Sequence, residues 1–404
     1  MRVTEISVKG LFGVFDHVIP LNLEDRITII HGPNGVGKTV VLKMIHALFN
    51  RRYELLQNFP FTEFSISFDN ETKIQVTHTL GLQLVFTKFG ETVEQFLPLV
   101  TRERGLLQTK SEPLFLGATK KSKEPEPTWL LACQKALSVN LVETQRLLFF
   151  HSSRKKNLGS LLPPSSSNEE RQLRVEKCAD DLSNKIQSTL AESAEVSQTL
   201  ERTFPSRLVQ KAFSPLPEIE LRARLKQLEQ AQTRLASVGL LTNGNGLEFQ
   251  STLPIDEQNI NALSIYVQDA QQKLGVFDKL AERLNLLKKI VEQRFLYKKL
   301  SINREHGMVF MTSDNQIIPL SGLSSGEQHE LVLLYELLFN TKPGSLILID
   351  EPEISLHLAW QVNFLRDLQE ISKLASLDII LATHSPEIIH DRWDLTVELK
   401  GPRQ

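Results

Sequence analysis

Residues 26–49 read RITIIHGPNGVGKTVVLKMIHALF, and three kinds of local chemistry follow one another along them. RITIIH is a continuous apolar run of the sort expected for a strand buried on both faces. GPNGVGKT, comprising Gly32, Pro33, Asn34, Gly35, Val36, Gly37, Lys38 and Thr39, fits the pattern G-x-x-x-x-G-K-[ST]. Val41, Met44, Ile45 and Leu48 then recur at helical spacing, so the unit reads strand, glycine loop, helix. Glycines let successive backbone N–H groups turn inward around phosphate oxygens, and the helix N-terminus adds a favourable dipole. In such a loop Lys38 places a point charge at the β and γ oxygens of a nucleotide, and Thr39 holds Mg²⁺.

The neighbouring segments extend this pattern. Upstream, VTEISVKG and VFDHVIPL alternate apolar and polar residues. Downstream, EFSISFD, TKIQVTHT and LQLVFTK suggest an antiparallel meander with turns at Asp69, Asn70 and Gly81. A polar stretch at 101–127 reads as a loop. From 168 to 304 long helical segments take over, interrupted by SPLP at 214–217 and TNGNG at 242–246. Phe277, Leu280, Leu284, Leu287 and Val291 have coiled-coil spacing over about two heptads, which suits a short helical arm or an ordinary amphipathic helix. A hairpin around Asp314 and Asn315, a helix over 326–340, strand SLILID, a helix over 355–374, strand DIILAT and a last strand near DLTVEL complete an alternating pattern. The reading is an α/β fold built from both ends of the chain, with an antiparallel β-subdomain and an inserted helical domain.

In LILIDEPE, an apolar strand delivers Asp350 and Glu351 at its C-terminal end, the edge where parallel α/β sheets bind ligands. Asp350 suits a Mg²⁺ ligand, and Glu351 suits a general base for an attacking water. Taken alone, the pair is an unremarkable strand end. LSSGEQ opens a helix in which Ser324 and Glu327 form a capping box, a complete local account. The same helix tip, with Ser324, Ser325 and Gly326, is also a good anion site.

Composition narrows the classes. Of 404 residues, 41% are hydrophobic and 23% charged, and 46 basic against 48 acidic side chains leave a formal charge of -2, which excludes a chain that is mainly disordered. Cys133 and Cys178, far apart and without a ligand cluster nearby, offer neither a disulfide framework nor a zinc site. No run of about 18 apolar residues occurs. The expectation is a cytoplasmic chain in a reducing compartment, with no membrane association.

GPNGVGKT, Gln145 in VNLVETQRL, LSSGEQ, LILIDEPE, SLHLAWQ and LATHSP stand in the order seen in ABC-type ATPases. The set resembles the soluble branch that includes RecF, the SMC and Rad50 proteins and the OLD-like ATPases. The resemblance covers about 1–50, 140–150 and 300–400. It implies three domains: an N-terminal ATPase lobe at 1–150, a helical insertion at 151–304, and a C-terminal ATPase lobe at 305–404 with signature, Walker B and switch histidine. It implies that two copies sandwich two ATP molecules, so that Ser324, Ser325 and Gly326 of one copy touch the γ-phosphate held by Lys38 of the other. It further implies that Gln145 contacts Mg²⁺ and the attacking water, that His384 senses the γ-phosphate, and that Ser355 to His357 lie at the dimer seam. Read singly, Gln145 is a solvated polar residue and His384 a satisfied loop histidine. Ser325 replaces a glycine common in transporter signatures, and Leu358 stands where OLD-like proteins often carry proline.

Transport is disfavoured because 178 positions separate Gln145 from Leu323, filled largely by predicted long helices. DNA repair or chromosome maintenance finds support between Lys273 and Arg304, where nine basic and three acidic residues surround Phe277, Phe295 and Tyr297. Such a stripe can follow nucleic acid phosphates or simply be a solvated face. A third reading is an ATPase resembling those of the Septu and PARIS defence systems. Only 20 residues follow His384, so that reading expects an effector, a nuclease or toxin, encoded separately.

Overall fold

The computed structural model describes residues 1–78, 84–90, 93–96, 126–143, 167–209, 216–241, 259–354, 356 and 358–401. Its contacts divide the chain into two compact units, Met1–Asn157 with Thr341–Gln404, and Leu158–Asn340. The first unit opens with β1 (Val3–Leu11), β2 (Phe15–Pro20), β3 (Ile27–His31), α1 (Lys38–Phe49) and α2 (Tyr53–Asn58). It continues through β4 (Glu63–Phe68), β5 (Lys73–His78), β6 (Leu84–Phe89), β7 (Glu94–Phe96), α3 (Thr128–Ala136) and β8 (Val139–Glu143). The second unit holds α4 (Ser167–Val209), α5 (Glu218–Ser237), α6 (Ile260–Gly275), α7 (Asp278–Arg294), β9 (Lys298–Asn303), β10 (Gly307–Thr312), β11 (Ile317–Ile318) and α8 (Ser325–Tyr335). The chain returns to the first unit with β12 (Leu346–Asp350), α9 (Leu358–Ala375), β13 (Asp378–Ala382), α10 (Pro386–Ile389) and β14 (Thr396–Glu398).

Apolar runs and alternating runs separate into two kinds of sheet. The continuous runs β3, β12 and β13 are buried almost throughout and lie centrally in a parallel sheet of order β14-β3-β13-β12-β8. The alternating runs form a six-stranded antiparallel sheet, β2-β1-β4-β5-β6-β7. One apolar cluster joins Ile6, Val8, Phe64 and Ile66 of the antiparallel sheet to Val41, Leu42 and Ile45 of α1 and to Leu348 and Ile380 of the parallel one. The expected α/β class, with its antiparallel subdomain and inserted helices, is the class observed. Because β3, β12 and β13 run parallel and pair Asp350 with Ala382 and Ala382 with Ile30, their C-terminal ends meet at one edge.

In the second unit α4 packs against α6, α8 and β10, and β9, β10 and β11 form a small antiparallel sheet. The turn between β10 and β11 contains Asp314 and Asn315, as the sequence predicts. The helix expected over 326–340 runs as α8 and then as a π-helical turn at Glu336–Asn340. Residues 305–340, grouped with the C-terminal lobe in the sequence reading, cluster with the helices because α8 and β10 pack on α4.

The basic stretch 273–304 is open only in part: Lys273, Lys279, Lys289 and Lys299 are exposed, Arg294 is buried, and its aromatics do not form a shared face with them. Phe277 and Phe295 are core residues, the latter stacked on Phe310, and Tyr297 is the one aromatic of the three that is exposed. Lys298 bonds Glu327 at 2.6 Å, and Arg304 donates to the Leu240 carbonyl at 2.7 Å. Phe277, Leu284, Leu287 and Val291 are buried, and α7 lies against β9 and α8. The apolar face of α7 therefore packs inside the unit, while most of the basic residues stay at or near the surface, as on an ordinary amphipathic helix.

Arg294 at the end of α7 pairs with Glu330 of α8, both side chains being at most 4% exposed. Breaking a buried pair strands the surviving charge, whereas replacing both members by apolar groups is often neutral. Arg294→Met should lower the unfolding free energy by about 3–5 kcal/mol, and adding Glu330→Leu should restore most of it. Denaturant titration of both variants checks this; a double variant as unstable as the single one contradicts it. Among the described residues no helix is long and apolar enough to cross a membrane.

Candidate functional site

The glycine loop leaves β3 at His31 and enters α1 at Lys38. All three of its glycines, Gly32, Gly35 and Gly37, have positive φ, and at two of them a Cβ would also meet a neighbour. Gly32 has φ 149°, and a Cβ there would stand 2.5 Å from the Leu399 carbonyl oxygen. Gly37 has φ 97°, and a Cβ there would stand 2.5 Å from Leu11 Cδ2. From β2, His17 donates through Nε2 to the Val36 carbonyl at 2.8 Å, steadying the loop from outside. That contact links residues 19 positions apart, and no motif in the sequence signals it.

Lys38 is 5% exposed, and its ammonium donates to the carbonyls of Gly32 at 2.9 Å and Pro33 at 3.0 Å. Burial pushes its pKa down, against the opposing pull of the Glu351, Asp350 and Glu353 carboxylates. His384 Nδ1 lies 3.5 Å from the same ammonium. Thr39 Oγ1 donates to Asp350 Oδ1 at 3.0 Å, which unites the start of α1 with the end of β12. A hydroxyl beside a carboxylate is a pair of hard oxygen donors, and it fits a Mg²⁺ ion that also takes phosphate oxygens.

Glu351 has φ 47°, a left-handed conformation that is costly for a side chain with a Cβ. Its N–H donates to the Ala382 carbonyl at 2.8 Å, and its Oε1 lies 3.7 Å from His384 Nε2. Strain of this kind tends to collect where a side chain must be aimed, and here it falls on the residue the sequence singles out as general base.

The structure thus brings Lys38, Thr39, Asp350, Glu351 and His384 together in the first unit, at the C-terminal edge of the parallel sheet. Ser324, Ser325 and Gly326 belong to the second unit, at the start of α8. There Ser324 Oγ accepts from the Glu327 N–H at 3.3 Å, Glu327 accepts from the Ser324 N–H at 2.8 Å, and Lys298 braces the same carboxylate. Gln145, Ser355 and His357 lie outside the described residues.

Two further residues complete the edge. The Glu353 carboxylate accepts from Thr383 Oγ1 at 2.9 Å and from the His384 N–H at 2.6 Å. Gln361 on α9 donates to the carbonyls of Glu353 and Leu356, and its Oε1 accepts from Ser385 Oγ at 2.8 Å. DEPE contains Glu353 and LAWQ contains Gln361, yet neither segment reveals that these residues meet the loop after β13.

Residues 1–389 match the family described as AAA ATPase domain. Over 79 residues the chain is 30% identical to the Septu protein PtuA of Bacillus thuringiensis, a match covering 19% of this chain and 19% of that protein. At 12% identity it is similar to the Smc head domain with an extended coiled coil bound to the C-terminal domain of ScpA derived from Pyrococcus furiosus, covering 100% of this chain and 94% of that one with TM-score 0.38. It is likewise similar to the SMC head domain from Thermotoga maritima at 12% identity, covering 96% and 91% of the two chains with TM-score 0.36.

Proposed function

We propose that this chain, which belongs to the AAA ATPase domain family, binds and hydrolyses ATP between two copies of itself and thereby controls a separately encoded effector. The observation that carries the ATPase reading is the convergence of Lys38, Thr39, Asp350, Glu351 and His384 on one sheet edge behind a glycine loop. The triphosphate lies along the backbone N–H groups of residues 32–39, with Lys38 at its β and γ oxygens. Thr39 and Asp350 would hold Mg²⁺, which when bound would supply neutralising charge to the phosphate oxygens. Glu351 takes the proton of the attacking water as oxygen bonds to the γ-phosphorus and the bond to the ADP oxygen breaks. His384 steadies the γ-phosphate as it leaves.

The serine tip supplies the second half of each site. Gly326 is the second residue of α8, and glycine is a weak helix former. A Cβ at Gly326 would meet nothing within 4 Å in this chain, so the chain's own packing does not demand the glycine. Close approach of a phosphate held by another copy accounts for it. Since both sides grip the γ-phosphate, its removal is what separates the two states, and a ligand shifts such an equilibrium only by its differential affinity.

Ser324→Arg should lower turnover at least about tenfold while the lone chain binds ATP normally, because a bulky cation blocks only the borrowed half of the site. Mixed in equal amounts with a Lys38→Ala chain, it should recover about a quarter of the parent rate, since half of randomly formed pairs contain one complete site of two. No recovery on mixing sinks the shared-site reading. The likeness to the Septu protein PtuA supports a defence role, and burial of Phe277 and Phe295 weakens the nucleic acid stripe. Purifying the Glu351→Gln protein with its neighbouring gene products in ATP tests the effector: a co-eluting nuclease or toxin supports it, and DNA alone favours repair.

A further inference from the structure

We infer that Glu353 is a positioning residue for turnover, holding the loop that carries His384 at the distance the γ-phosphate requires; this rests on the role proposed above for His384. Glu353 sits in the short turn after β12, two residues beyond Glu351, and spans to the loop after β13. Its two carboxylate oxygens are divided between two consecutive residues of that loop: Oε2 accepts from the Thr383 hydroxyl and Oε1 from the His384 N–H. The Thr383 hydroxyl oxygen in turn accepts from the Ser385 N–H at 3.0 Å, and Thr383 itself is fully buried.

The loop is gripped a second time. Gln361 accepts from the Ser385 hydroxyl while donating to the Glu353 carbonyl, so the backbone and the side chain of Glu353 are tied to consecutive loop residues by separate bonds. Thr383, His384 and Ser385 are thus fastened on three sides, while the imidazole of His384 is left free to face Lys38 and Glu351. A carboxylate is suited to this task because it accepts on both oxygens without rearranging, and charged acceptors form shorter, stronger bonds than neutral ones. The backbone of His384 carries no other restraint of comparable strength among the described residues. Loss of Glu353 should let the histidine drift, and a misplacement of about 1 Å in a reacting array can cost on the order of a hundredfold in rate.

The test is a double-variant cycle on the full chain, reading kcat and equilibrium ATP affinity separately. Glu353→Ala should lower kcat about tenfold with ATP affinity changed less than about twofold, and in a His384→Ala background it should cost nothing further. Thr383→Val, which keeps the Glu353 charge beside Lys38 and its bond to the His384 N–H but removes the hydroxyl's bonds to Glu353 and to the Ser385 N–H, should cost about threefold in the same His384-dependent way. Should Glu353→Ala fail to fold, Glu353→Gln, which retains one accepting oxygen, takes its place in the cycle with a loss of similar size. Equal losses in the presence and absence of His384, or a drop in affinity that matches the drop in kcat, overturn the inference and leave the role of His384 standing. Parent turnover in His384→Ala alone overturns both.

Discussion

Glu351→Gln is expected to bind ATP as tightly as the parent chain and to turn it over roughly 10²–10⁴-fold more slowly, the usual contribution of a positioned general base. The side chains are nearly isosteric, so the loop, Lys38 and the Thr39–Asp350 pair should keep their arrangement, and only the capacity to take a proton is removed. Affinity should even gain slightly, because one of the carboxylates facing Lys38 has lost its charge and the triphosphate meets less repulsion. With the γ-phosphate retained, the protein should remain in its associated form, visible as a larger species by size-exclusion chromatography in ATP and a smaller one in ADP. Turnover within about twofold of the parent would remove Glu351 from the chemistry. A monomer in ATP with turnover lost would spare the base and refute the pairing.

That the sequence locates Glu351 at all follows from burial. A strand covered on both faces has to be apolar along its length, so β12 reads as LILI and its first charged residues stand out at its C-terminal end. The same reasoning exposes β3 and the glycine loop. The order of the parallel sheet is less accessible, because its three central strands are alike in being apolar and nothing local says which neighbours which; β14 and β13 flank β3 for reasons of whole-chain packing. Glu353 was hidden for another reason. Its partners are 30 and 31 positions away and one of them is a backbone N–H, a group that every residue but proline carries. His17 is hidden in the same way.

At the serine tip a complete local account still leaves room for the second use proposed above. Ser324 and Glu327 do form the capping box that the sequence predicts, with both reciprocal bonds present. That cap consumes the Glu327 carboxylate and one lone pair of Ser324 Oγ, yet leaves Ser324 and Ser325 exposed. The helix end is therefore finished structurally and still open to an anion. In the basic stretch, composition alone does not separate Arg294 and Lys298, which Glu330 and Glu327 draw inward, from Lys273, Lys279, Lys289 and Lys299, which stay exposed.

Lys38→Ala should abolish measurable ATP binding at ordinary nucleotide concentrations. A cation about 4 Å from a phosphate charge at an effective dielectric constant near 20 contributes about 4 kcal/mol, or roughly a thousandfold in Kd. The surroundings make the loss harder to bear than in a neutral loop: Asp350, Glu351 and Glu353 all act on the Lys38 ammonium, and without it they would act on the triphosphate with the opposite sign. The unliganded fold should suffer less, because the ammonium's bonds go to the carbonyls of Gly32 and Pro33, which belong to an irregular loop and not to either sheet. Thermal melting separates the two effects. The parent should gain stability with added ATP and Mg²⁺ in proportion to the logarithm of ligand concentration over Kd. Lys38→Ala should melt near the parent's unliganded temperature and show no such gain. Lys38→Arg should recover little, since a planar guanidinium cannot replace a compact ammonium seated between two loop carbonyls 2.9 and 3.0 Å away. Parent-like stabilisation of Lys38→Ala by ATP would show that the glycine loop does not hold the nucleotide's phosphates.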